Sequence, residues 1–236
     1  MKNLIFLLAV LSIIWVSAQP SHTTFDLLLQ KHVTSAGKVN YKGFKAEVDK
    51  LDDYLNTIKE NKPSSEWTSK AIKAYWINAY NAFTIKLMLN HYPLKSITDL
   101  KFSGKSAWDY SWIKIGGETL SLNDIEHKKL RAKYKDPRIH FAVNCASYSC
   151  PILANKAYTE ENASSLMSKQ ASRFINDSTR NKVSATEVEI SEIFKWYADD
   201  FKTKGSIIDY LNKYSKIKIN ANATISYLSY NWKINE

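Results

Sequence analysis

From Glu66 to His91 the chain carries a helical pattern whose centre is apolar almost all the way round. The run Ala74-Tyr75-Trp76-Ile77-Asn78-Ala79-Tyr80-Asn81-Ala82-Phe83 leaves no broad polar face for solvent. A helix of that kind is stable only when covered, so the rest of the fold has to wrap it. Pro63-Ser64-Ser65 sets it off from what precedes, and Pro93 ends it. Asn78 and Asn81 sit inside the apolar run, three apart on one face. A buried amide without partners costs about 1–3 kcal/mol. Each is therefore expected either to bridge to neighbouring backbone or to line a binding site.

The covering comes from a chain of 236 residues, not all of which stay in the mature protein. Met1 to Ala18 has the layout of a secretory signal: Lys2, an apolar core from Leu4 to Val16 interrupted by Ser12, then Val16-Ser17-Ala18 as a small-residue cleavage site. That core is much shorter than the roughly 20 residues a spanning helix needs. No cysteine lies near the cleavage site, which argues against lipid modification, and no later apolar run is long enough to span a membrane. Residues 1–18 are read as a cleaved signal. Residues 19–236 are read as one globular domain, exported to a periplasmic or extracellular space. The chain has 33 Lys and Arg against 23 Asp and Glu, a formal charge of +10. The lysines are scattered, and no block of like charge or nucleic-acid-binding module appears, so specific nucleic-acid recognition is not expected. Scattered lysine describes a solvated surface, able at most to associate weakly with anionic envelope polymers.

Along the rest of the chain, helices dominate the first half. Phe25 to Val33 and Gly43 to Asn61 show helical spacing, the second with Phe44, Val48, Leu51, Tyr54, Leu55 and Ile58 on one face; between them Val39-Asn40-Tyr41 reads as extended. Ser103 to Trp112 is a loop rich in aromatics, with Trp108 a candidate binding residue for a small molecule, peptide or glycan. Trp112 to Leu120 reads as a hairpin turning on Gly116-Gly117. Ser121, with Asp124 three residues on, opens a helix carrying Glu126, His127 and Arg131. Further helices are expected over Thr159 to Asn176, Ser191 to Phe201 and Ser206 to Tyr214. Val183 to Ile190 and Ala223 to Ile234 are expected to be extended. The fold class is α+β in one domain, with a small mixed or antiparallel sheet in the C-terminal half.

The chemistry concentrates between Asp136 and Pro151, which holds both cysteines. Ile139, Phe141, Val143 and Cys145 share one parity; His140, Ala142 and Asn144 share the other. That alternation predicts a buried strand emptying into a tight loop between Cys145 and Cys150. It also sets His140 and Cys145 on opposite sides, which favours His127 as the partner of Cys145.

Four separated stretches resemble the domain of unknown function (DUF) 547 family. They are Ala74 to Ala82, Ser121 to His127 with Leu130-Arg131, Asp136 to Pro151, and Ile193 to Tyr197 with Asp200-Phe201; the ending Tyr230-Asn231-Trp232 joins them. The likeness runs from about Tyr41 to Asn235. It implies a single domain and these candidate positions, and no particular reaction or cofactor.

The candidate site residues admit three readings. A Cys145–Cys150 disulfide would staple the loop, as export and an even cysteine count suggest, leaving a non-catalytic binding module. A catalytic reading makes Cys145 a nucleophile, His127 or His140 its base, Glu126 or an Asn the orienting group, and loop N–H groups the oxyanion donors. That gives a hydrolase or acyl transferase acting on an amide or ester, with Asn78, Asn81, Trp108, Arg131, Asn144 and Cys150 as binding candidates. A zinc site from the two histidines and two thiolates is the third. The Cys-x4-Cys spacing and unpaired histidines do not favour it. Sequons at Asn162, Asn176 and Asn222 matter only where exported proteins are glycosylated.

Overall fold

The computed structural model describes residues 19–236, so the signal-like segment before them lies outside the described residues. The wrapped helix is α4 in chain order, Ser69–His91, buried without a break from Ala74 to Ile85. Thr68 starts it, its hydroxyl accepting from the Ala71 N–H. Around it pack α1 (Thr23–His32), α2 (Tyr41–Ala46) and α3 (Val48–Glu60). The single helix expected from Gly43 to Asn61 is two, because the backbone leaves helical geometry at Glu47 (φ −122°, ψ 28°). The Glu47 carboxylate there gathers Lys31, His32 and Lys50. The extended Val39-Asn40-Tyr41 reduces to one bridge between Val39 and Val33, and Asn40 already caps α2.

After α4 come two hairpins, β1 (Lys101–Phe102) with β2 (Lys105–Ser106), and β3 (Ile113–Ile115) with β4 (Glu118–Leu120). The second turns at Gly116 and Gly117, both at positive φ as expected. The Ser121–Asp124 reciprocal cap forms as the sequence implies. The helix it opens has π geometry over Asp124–Arg131 before α5 (Ala132–Tyr134). Wide turns of this kind are rare and gather at functional sites.

The largest correction falls on Ile139 to Cys145, which is not a strand. Asp136 accepts from the Arg138 N–H, Pro137 takes the first helical position, and Pro137–Phe141 is a 3₁₀ helix. The alternation misled because residues 139–144 are all buried, His140 and Asn144 included, so parity marks no solvent face. Asn78 and Asn81 both prove to be bridges. Asn78 exchanges two hydrogen bonds with the backbone of Tyr158 (2.7 and 2.9 Å). Asn81 donates to the Ala142 carbonyl and accepts from the Asn144 N–H, both at 2.9 Å, tying α4 to the segment that carries the cysteines.

The remaining elements are α6 (Ala163–Ile175), β5 (Lys182–Val183), β6 (Glu187–Ser191), α7 (Ile193–Trp196), α8 (Ala198–Phe201), α9 (Ile207–Leu211) and β7 (Thr224–Leu228). β5 pairs antiparallel with β6, and β6 pairs parallel with β7. A parallel pair needs a long crossover. Here the crossover is α7, α8 and α9, and it builds a second apolar cluster of Phe141, Phe174, Phe194, Phe201, Tyr210 and Leu211. Phe141 belongs to that cluster while its neighbours Ile139 and Ala142 belong to the one around α4. The 3₁₀ helix therefore sits between the two parts of the core. The architecture is α+β, with its three-stranded sheet in the C-terminal half. No helix of the described residues is long and apolar enough to cross a membrane.

Candidate active site

The cysteine loop is built by its own side chains and then clamped by the C-terminal tail. Asn144 accepts from the Ala146 N–H (2.9 Å) and donates to the Pro151 carbonyl (2.8 Å), closing the turn from inside. Ala146 pays for that turn with a left-handed backbone, φ 59°. The tail lies alongside: Tyr148 N–H donates to the Lys233 carbonyl, Ser149 N–H to the Asn231 carbonyl, and Asn235 N–H to the Ala146 carbonyl. Tyr41 holds the Asn235 amide from the other side.

This clamping places Tyr230 against Cys145. The Cys145 Sγ is 3.1 Å from the Ser147 hydroxyl and 3.4 Å from the Tyr230 hydroxyl, and those two hydroxyls are 3.0 Å apart. Both cysteines are free thiols, so the disulfide expected under the binding-module reading is absent. Instead the Cys145 N–H donates to the Cys150 Sγ at 3.1 Å. A hydrogen bond from the Cys150 thiol lowers the Cys145 pKa. Burial opposes it, and the Ser147 and Tyr230 hydroxyls with the Ser147 N–H add to the lowering, leaving Cys145 at about 7. Burial pushes the Cys150 thiol and the Tyr230 hydroxyl up, so both keep their protons and remain donors.

Cys145 lines a cavity of about 200 Å³ together with Glu126, His140, Trp108, Tyr197 and Tyr230, among others. His140, expected on the far side of a strand, faces this same cavity because the strand does not exist. Its Nε2 is 2.6 Å from the Asp200 Oδ2, and its ring stacks on Tyr197 at 4.0 Å. The Nδ1 is left as the nitrogen without a close partner, 3.9 Å from the Glu126 Oε1. Asp200 is held in turn by Arg131 Nε at 2.7 Å. Hydrogen bonding from His140 lowers the Asp200 carboxyl; burial opposes this, and Arg131 reinforces it, so the group stays ionised far below the usual range.

His127, favoured from sequence as the base, is placed elsewhere. Its Nδ1 meets Arg131 at 2.8 Å, and it lines a separate cavity with Arg131, Lys135 and Thr203. His127, His140, Cys145 and Cys150, the four zinc donors of the third sequence reading, therefore do not converge. Among the binding candidates, Trp108 and Cys150 line the cavity. Asn78, Asn81 and Asn144 are structural bridges, and Arg131 stands behind Asp200. Sequence reasoning missed Asp200, Tyr197, Ser147 and Tyr230. Asp200, Tyr197 and Tyr230 lay in stretches that carried the family likeness, and the long sequence gaps to Cys145 hid their roles. The oxyanion expectation also changes. The N–H groups of Cys145, Ala146, Tyr148 and Ser149 are spent on partners within the loop and tail. Of the two hydroxyls at Sγ, Tyr230 is the one that also lines the cavity.

Residues 64–175 match the sequence model of a family described as "Protein of unknown function, DUF547". That stretch belongs to the DUF547 family. The matched region contains α4, Glu126, His140 and both cysteines, whereas Asp200 and Tyr230 lie beyond it. No curated protein and no solved structure matches the chain.

Proposed function

We propose that this DUF547 protein is an exported cysteine-dependent hydrolase or acyl transferase acting on an amide or ester, with Cys145 as nucleophile and His140 as base. One arrangement supports it above all: a half-buried thiol ringed by donors shares a cavity with an imidazole whose far nitrogen is fixed by an ionised carboxylate. The Cys145 proton passes to His140 Nδ1, and Sγ attacks the carbonyl carbon. The oxyanion takes a hydrogen bond from Tyr230, His140 returns the proton to the leaving amine or alcohol, and a thioester remains. Water or an acceptor amine or alcohol then gives its proton to His140, attacks the thioester, and releases the thiol. Asp200 orients the ring and stabilises its charged form.

The test is a panel of chromogenic amides and esters assayed with purified protein. Cys145→Ala abolishes any turnover found. His140→Ala lowers it by about 10²–10⁴-fold, the usual contribution of a positioned base. His127→Ala lowers it far less. Full activity in Cys145→Ala or His140→Ala rules out that residue's role.

A further inference from the structure

The residues lining the Cys145 cavity include one carboxylate, Glu126, and neither a lysine nor an arginine. That is notable on a chain with 33 of them and a formal charge of +10. Glu126 is 5% exposed, so solvent screens it weakly. Its carboxylate accepts from the Tyr197 hydroxyl and feels the Arg131 charge, but it has no cation of its own: His140 Nδ1 is 3.9 Å away, and the same imidazole is already paired to Asp200 at 2.6 Å. Arg131 also spends its charge on Asp200 and lies over the Tyr197 ring. The rest of the wall is aromatic. Trp196 and Trp232 stack at 5.8 Å, Tyr230 packs against both, and Trp108 meets Trp232 edge-on at 5.6 Å. Trp196 is 46% exposed, large for its size, so much of its indole is left open to water. Indole faces carry negative quadrupole charge, and with a buried carboxylate they attract cations.

From these observations we infer that the cavity selects acyl donors bearing an alkylammonium group near the reacting carbonyl, with Glu126 and the tryptophan wall as the charge-selecting elements. This rests on Cys145 being the accessible nucleophile, and the experiment separates the two claims. Three methanethiosulfonates are compared on the full protein: the neutral methyl reagent, the cationic trimethylammonioethyl reagent and the anionic sulfonatoethyl reagent. In each case the Cys145 thiolate attacks the sulfenyl sulfur, a mixed disulfide forms, and methanesulfinate leaves. Rates at Cys145 are read by mass and divided by those of free 2-mercaptoethanol. The corrected cationic-to-anionic ratio is expected to exceed about tenfold, the low end of what a cleft of one charge sign confers. It falls several-fold in Glu126→Gln and is retained in Glu126→Asp. Trp196→Ala reduces it independently of Glu126. A corrected ratio near one in the wild-type protein overturns the inference. So does a ratio that Glu126→Gln leaves unchanged while circular dichroism shows the variant folded. Failure of the neutral reagent to label Cys145 at all would instead overturn the nucleophile assignment.

Discussion

Cys145 owes its character to neighbours both near and distant in sequence. Its Sγ takes donors from Ser147, two residues on, and from Tyr230 in the C-terminal tail, while Cys150 supplies the largest lowering of its pKa. Removing one donor raises that pKa. Tyr230→Phe is therefore expected to move the midpoint of Cys145 alkylation to higher pH, with slower labelling at pH 6 and little change at pH 10. An unchanged midpoint would mean that Tyr230 does not stabilise the thiolate. Asp200→Asn tests the other half of the pair. Because Asp200 fixes the imidazole and stabilises its charged form, the variant should lose kcat on any substrate found while KM changes little. At this scale Cys145, Cys150, His140 and Glu126, all singled out from sequence, line one cavity. The sequence pointed to His127 for a geometric reason that failed, since the alternation argument presumes a strand.

Two buried amides on α4 look alike in sequence and differ in what they hold. Asn78 ties the helix to Tyr158, and Asn81 ties it to Ala142 and Asn144 beside the nucleophile. Replacing either by Leu strands buried backbone groups and should cost about 1–3 kcal/mol for each group left unpaired, seen as a lower thermal midpoint. Only Asn81→Leu should also alter the rate of Cys145 alkylation, because only it releases the cysteine segment. Equal effects of the two variants on that rate would contradict this division. Elements marked by local chemistry were readable from sequence: α4 from its apolar run, β3–β4 from Gly116-Gly117, and the helix after Ser121 from its cap. What could not be read was the 3₁₀ helix at Pro137, where complete burial erased the difference between the two faces of the supposed strand. The π geometry over Asp124–Arg131 likewise leaves no local pattern in the sequence, and it sets Glu126 in the cavity and His127 outside it.

The whole molecule is held by charges and contacts that close long loops, and these were the least readable of all. The parallel pairing of β6 with β7 and the tail's clamp on the cysteine loop join residues whose sequence separations carry no periodic signal. The same network sets the response to acid. Burial lowers the His22 pKa to about 4 from an ordinary 6.5, so neutral His22 supports the fold above pH 6.5 and that support is lost as pH falls toward 4. Burial raises the Asp136 carboxyl, but Arg138 and Lys73 outweigh it and bring it to about 2 from 3.8. Its contribution, about 2 kcal/mol by linkage, is present above pH 4 and lost as pH falls through 2. Asp200 adds to the loss in the same direction. The thermal midpoint should thus decline from pH 6.5 and fall more steeply below 4. A midpoint flat from pH 6.5 to 2 would refute this assignment.

The most direct test of the account is the pH profile of thiol alkylation on natively folded protein, read residue by residue by mass without reductant. Iodoacetamide is expected to label Cys145 alone, with a half-maximal rate near pH 7, while Cys150 stays protected until unfolding. Labelling of neither cysteine before reduction, or a Cys145 midpoint near the 9.0 of an unperturbed thiol, would contradict it.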